Sequence, residues 1–269
     1  MSGTGHNAST VTYSGNPYLD AVLANRMWTD AIVTFSFPQN NSEYSATYPD
    51  GTPTNNFNAI TTQMETAARF ALDADTGNAN AIGFSVEGFT NLNIQHTNNS
   101  GAHIRLAHSD EANPTAYAYY PSTGFVGAGD IWFGQHANGT YHNPQAGNYA
   151  WHTMIHEIGH ALGLKHGHAG DSGFSGANPA VSPSDGDSME YSIMTYRSYI
   201  NGPTNGYTNE SAGYAQTWMM ADIAALQYMY GADYTTNSSN TVYKWDPSSG
   251  DTLVNGEIAI DAVGMILPL

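Results

Sequence analysis

The run from His156 to His166, HEIGHALGLKH, constrains this chain more than any other stretch, because it fits H-E-x-x-H-x-x-G-x-x-H in full. Positions four apart share one face of an α-helix, so His156 and His160 can turn both imidazoles toward a single ion. Glu157 lies about 100° round the helix from His156, near enough to serve a metal-bound water without ligating the metal. Gly163 supplies the backbone freedom to stop the helix and reverse the chain, which delivers His166 as a third donor. Three neutral imidazoles leave a coordination position open, as at a catalytic zinc and not a structural one. One catalytic Zn2+ is therefore expected on His156, His160 and His166, with Glu157 as general base. His168 follows closely, but the spacing from Gly163 selects His166. His152, one turn before His156, reads as a solvated or supporting residue. His103, His108, His136 and His142 read as surface residues, a second zinc or a calcium site among them being the lesser reading.

Composition narrows the chemistry further. Cysteine is absent, which removes disulfides, thiolate metal sites and cysteine nucleophiles together. With 23 acidic residues against 6 Lys and Arg, the surface repels nucleic acid and anionic lipid, so neither is an expected partner. No stretch approaches the roughly 20 apolar residues of a membrane helix. Met1 to Thr10 lacks the basic-then-apolar pattern of a signal peptide.

Along the chain, residues 1–16 read as a flexible polar tail. Helical spacing of apolar residues predicts helices over Tyr18 to Trp28, Phe57 to Leu72, Tyr149 to Leu164 and Thr217 to Tyr230, the last stopped by Gly231. In the second, Ile60, Met64, Ala67, Ala68, Phe70 and Ala71 form the buried stripe. Strands are predicted at Ala31 to Phe37, Ala81 to Val86, Ala102 to Leu106, Ala116 to Tyr120 and Asp130 to Phe133. A loop rich in Gly, Ser and Asp runs from Gly167 to about Glu190. Short β-like pieces at Thr241 to Trp245 and Glu257 to Val263 belong to an extension over 234–269. Large residues such as Trp245 favour docking of that extension on the main domain, with Gly264 to Leu269 frayed.

Downstream of the zinc motif, Ser192 to Tyr196 reads SIMTY. Alone, Met194 would be core filling; after an extended zinc motif it matches a Met-turn, the apolar floor beneath the metal. Tyr196, two residues later, can direct its hydroxyl at the metal or at a developing oxyanion.

These residues, together with NPYLDAVLANRMW, PTAYAYYP and MMADIAALQYMYGA in the same order, resemble the serralysin group of metzincins, the secreted bacterial zinc proteases, over about residues 17 to 233. The resemblance implies a metzincin fold of mixed α/β (α+β) class: a twisted mixed sheet, an active-site helix above and a helical lower subdomain. It implies that Tyr196 is a displaceable fourth ligand and that Ala116, Tyr117, Ala118 and Tyr119 form an edge strand that holds an extended peptide. It further implies a monomeric extracellular endopeptidase acting on protein or peptide substrates, with a proteinaceous inhibitor as a further partner. Members usually continue into a Ca2+-binding β-roll of G-G-x-G-x-D repeats, and none occurs before Leu269, so calcium is an expectation without a motif here. The closing MILPL imitates a short apolar export signal as readily as it represents a divergent end. A zinc module that holds peptides without cutting them would be marked by loss of Glu157 or of the open position, and neither is lost. A hydrolase of non-protein amides has no use for the edge strand.

Overall fold

The computed structural model describes residues 5–262 apart from 49, 76, 136–138 and 169. The expectations for residues 1–4, for His136 and for 264–269 fall outside the described residues. In chain order the elements are β1 Ala8–Thr10, α1 Pro17–Asp20, β2 Arg26–Trp28, β3 Val33–Ser36, β4 Asn58–Ala59, α2 Thr62–Leu72, α3 Val86–Phe89, β5 Ile94–His96, β6 Ile104–His108, β7 Ala116–Ala118, β8 Asp130–Phe133, α4 Tyr149–Leu162, α5 Met220–Tyr230, β9 Tyr243–Trp245, β10 Thr252–Val254 and β11 Glu257–Ile260. The main sheet runs β5-β3-β6-β8-β7, with β4 paired to β6 off that path. Its inner pairs are parallel, and only β7 and β4 run antiparallel to their neighbours. This is the twisted mixed sheet expected of the fold.

Strand alternation divides the core. Ile104 and Leu106 of β6 and Ile131 and Phe133 of β8 face α2 and α4 and join the main cluster. Trp132 and Ala107 face the other way, against Tyr44 and Tyr48. Both faces of the sheet are therefore covered, and every residue of β6 is buried. The polar positions of β6 do not face water as its alternation suggested. Arg105 is fully buried and pairs bidentately with Asp130, Nε to Oδ1 at 2.7 Å and Nη2 to Oδ2 at 2.6 Å, while the Val126 carbonyl takes another of its protons. A forked guanidinium satisfies that buried carboxylate where water cannot.

Helix α2 buries the predicted stripe from Met64 onward, and Thr61 caps it by accepting the Met64 amide, but residues 57–61 of the predicted helix are not helical, because Asn58–Ala59 pairs with β6 as β4. Two further predicted elements are corrected. Tyr18 to Trp28 is helical only over α1, because Val22 and Ala24 spend their backbone groups on 163–165: Lys165 N–H reaches the Val22 carbonyl and Ala24 N–H the Gly163 carbonyl, both at 2.8 Å. Ala81 to Val86 is not a strand but two helical turns, fixed where Ser85 Oγ accepts the Gly88 amide, and the sheet is completed by β5 instead. In the lower part, α5 is the single α-helix among the described residues, the rest being loop and short turns.

The polar start is more ordered than its composition suggested. Strand β1 pairs with β2, Val11 is buried, and Asn7 donates its amide and its side chain to the two oxygens of Asp30, each at 2.7 Å. The extension folds as an antiparallel sheet, β11-β10-β9, and docks through Val254, Ala259 and Ile260. Trp245, expected to anchor it, is 69% exposed. No helix of the described residues is long and apolar enough to cross a membrane.

Burial alone would raise the Asp30 pKa, but the bonds from Asn7 and from His103 outweigh it and hold the carboxyl below its ordinary range. A depressed carboxyl stabilises the fold fully above its unfolded value near 3.9, and that support fades as pH falls through the folded value. Amide protons of residues 8–11 are therefore expected to lose protection on acidification from pH 5 to pH 3 ahead of those of β6. Hydrogen exchange across that range checks the order, and simultaneous loss would remove Asp30 as the clasp.

Candidate metal centre

Helix α4 begins where Asn148 accepts the Trp151 amide and ends at Gly163, in the left-handed region at φ +104°. A Cβ at Gly163 would stand 2.0 Å from the Arg26 carbonyl oxygen, so both the turn and the close approach demand glycine. The reversal carries His166 back under the helix, and the structure brings His156, His160 and His166 together. Nε2 of His166 lies 3.1 Å from Nε2 of both His156 and His160.

The protons of the two helical imidazoles are elsewhere. Nδ1 of His156 donates to the Ile193 carbonyl and Nδ1 of His160 to the Leu164 carbonyl, each at 2.8 Å, so both present bare Nε2 lone pairs to the centre. Burial drives the His156 pKa far down and that of His160 to about 3, and it keeps both rings neutral. Nδ1 of His166 lies 3.1 Å from Oδ2 of Asp171, which also accepts the His166 amide at 2.9 Å. Three imidazole nitrogens at this spacing, with their protons directed outward, fit a tetrahedral cation that favours nitrogen.

Glu157 is buried among these groups. Burial raises its pKa to about 8, and Oε2 has no hydrogen-bond partner among the described residues. A nearby cation would bring that value down. The Tyr196 ring lies 4.5 Å from that of His166 and 5.9 Å from that of His156, and burial with the Glu157 field raises its hydroxyl pKa to about 12. His168 stacks on His166 and lies tilted against Tyr196, outside the converging trio.

Beneath the imidazoles, Met194 is fully buried against α4, and its sulfur would be 2.6 Å from a Cβ at Gly159. This turn is held from a distance by Asp222, which accepts Ser192 Oγ–H at 2.6 Å, Ile193 N–H at 2.8 Å and Met219 N–H at 3.0 Å. A cavity of about 360 Å3 opens beside the centre, lined among others by Ala116, His152, Glu157, Tyr196 and Tyr207. His152 is buried there, its Nε2 3.1 Å from the Tyr207 hydroxyl, so it is a supporting residue and not a solvated one. His103 and His108, expected at the surface, are 4% and 1% exposed: His103 is enclosed by Trp28, Asp30 and Thr34, while His108, in register with Phe133, lies on the helix side of the sheet.

Sequence reasoning missed Asp171, Asp222 and Tyr207. Asp222 carried one signal, an acidic residue in the first turn of α5, but nothing local ties it to a turn near residue 193.

The family model described as Matrixin matches residues 28–175, more than half of the chain. The chain belongs to the matrixin family. Among relatives, serralysin of Proteus mirabilis is 32% identical over 228 residues, 82% of this chain and 44% of that protein. Serralysin B of Dickeya chrysanthemi is 39% identical over 137 residues, covering 50% of this chain and 27% of its own length. Metallopeptidase AprA of Pseudomonas marginalis is 34% identical over 149 residues, covering 53% and 30%. The matrixin chain is thus serralysin-like, and it spans less than half the length of these relatives.

Replacing Asp171 by Asn keeps its shape but removes the carboxylate that His166 leans on. Metal retention is expected to weaken about 10–100-fold, as for outer partners of ligating histidines. Competition with a chelator measures it, and unchanged retention would strip Asp171 of that role.

Proposed function

We propose that this chain is a zinc endopeptidase that hydrolyses extended polypeptides, with His156, His160 and His166 holding one zinc ion, Tyr196 as an additional displaceable ligand and Glu157 as general base. The observation that carries the reading is the convergence of three outward-protonated imidazoles beside a buried carboxylate oxygen that has no partner among the described residues. Zinc bound there would supply Lewis-acid polarisation of a carbonyl and lower the pKa of water. Glu157 takes a proton from the attacking water and passes it to the leaving amine, which needs no covalent intermediate. The Tyr196 hydroxyl, kept protonated by its raised pKa, donates to the oxyanion as charge develops. Met194 fills the floor, so the imidazoles cannot sink from their positions.

The edge strand supports a polypeptide substrate. Tyr119 gives its N–H to Asp130 and takes the Gly129 N–H, and the Thr115 carbonyl takes the Gly134 N–H. Alternation along β7 then turns the amide groups of Ala116 and Ala118 toward its open side, where an extended chain can pair with them. The rings of Tyr117 and Tyr119 hold the strand instead, through Thr52 and Asp50. Action outside the cell rests on the serralysin likeness, and calcium is not required by any step.

Glu157→Ala is expected to retain zinc while proteolysis falls about 10²–10⁴-fold. Metal analysis and casein digestion on one sample decide it; near-native activity would sink Glu157 as the base. For Tyr196→Phe the expectation is full zinc content with kcat lower on the order of 10²-fold and KM little changed. Steady-state kinetics on a peptide separates the two constants, and an unaltered kcat would refute the oxyanion role.

A further inference from the structure

A second pair of histidines reproduces features of the first centre. His108 closes β6 and is 1% exposed. Its Nδ1 donates to the Phe133 carbonyl at 3.2 Å, which leaves Nε2 a bare lone pair, buried and without a hydrogen-bond partner among the described residues. That is the tautomer His156 and His160 adopt against the Ile193 and Leu164 carbonyls. The ring of His142 stands edge-on to His108, centroids 4.9 Å apart at 78°. The pairs of the first centre stand at 4.8 Å and 87° for His156 with His160, and at 4.6 Å and 85° for His160 with His166.

The backbone that carries each imidazole is fixed. His108 sits on a central strand, while the His142 carbonyl takes the hydroxyl proton of Thr61 at 2.7 Å and its amide reaches the Gly139 carbonyl at 3.0 Å. His142 is exposed, so an ion could enter from solvent. A different cluster, His6, Asp30 and His103, brings three donor atoms within 4.8 Å. There the Thr34 amide donates to Nδ1 of His103 at 3.1 Å, which puts the ring proton on Nε2 facing Asp30 at 3.0 Å. That cluster is closed by its own hydrogen bonds; the His108 site is not.

We propose that His108 and His142 form a second metal site that binds one divalent first-row ion preferring imidazole, Zn2+ or Cu2+, with water in the remaining positions. The ion clips β6 to the segment leading into α4, a cross-link that a cysteine-free chain cannot make with a disulfide. Cu2+ is the probe of choice because imidazole sites bind it more tightly than Zn2+. The whole chain, loaded with one equivalent of zinc, is titrated with Cu2+ and followed by electron paramagnetic resonance and metal analysis, so the readout does not depend on proteolysis. The expected result is one retained Cu2+ with hyperfine structure from two nitrogens, distinct from the three-nitrogen signal of Cu2+ that displaces zinc at His156, His160 and His166. In His142→Ala, an exposed substitution, copper retention should fall at least about tenfold. His108→Gln should do the same with circular dichroism unaltered. Copper retained by His142→Ala as by the parent, or copper bound only with matching loss of zinc, would overturn the assignment.

Discussion

Three imidazole lone pairs face one another, that of His166 at 3.1 Å from each of the other two, and they repel; most of the lower half of the molecule is arranged to keep them there. Each ring is held at its far nitrogen, two by main-chain carbonyls and one by Asp171. Those acceptors come from three places: the Met-turn, the end of α4 and the loop after His166. A cation at the focus relieves the repulsion and draws all three segments to one point.

The upper half supplies rigidity. Because loops cover the face of the sheet away from the helices, β6 and β8 are buried throughout, and the edge next to β8 is fixed by groups on both sides. Arg105 with Asp130 holds this second layer, at the cost of burying two charges that satisfy each other, with carbonyls taking further Arg105 protons and the Tyr48 hydroxyl donating to Asp130 Oδ2 at 3.0 Å. The edge strand owes its position relative to the metal centre to that layer as much as to α4.

How much of this was legible in the sequence depended on whether the signal was local. The motif HEIGHALGLKH carried its own geometry, since a helical period and one left-handed glycine suffice to bring its donors together. Likewise β8 and the stripe of α2 followed from periodicity. Segments whose backbone groups are satisfied by distant partners were misread: residues 22–24 have helical spacing but pair with 163–165, and Ala81 to Val86 looks β-like but is turned by a single serine cap. The burial of Arg105 was hidden because alternation predicts a wet face wherever polar residues fall, and that of His103 and His108 because it depends on distant partners, Asp30 for one and the Phe133 carbonyl for the other. Asp171 lies only five residues after His166, but in a loop whose turn no periodicity predicts, and Asp222 acts on Ser192 and Ile193 across a fold of the chain that no spacing encodes.

Asp222 belongs to the first turn of α5 and yet grips Ser192 and Ile193, and the Ile193 carbonyl is what orients His156. Helix and metal floor therefore cannot open separately. Fraying the start of α5 would release the Met-turn and leave a buried carboxylate without its donors, so the last helix of the domain and the His156 imidazole oriented by that turn form one cooperative unit of unfolding. The long loop between them joins the same unit, since the Tyr207 hydroxyl donates to the Thr195 carbonyl at 3.1 Å, and part of the local stability of the centre thus resides in a helix that contributes no atom to it.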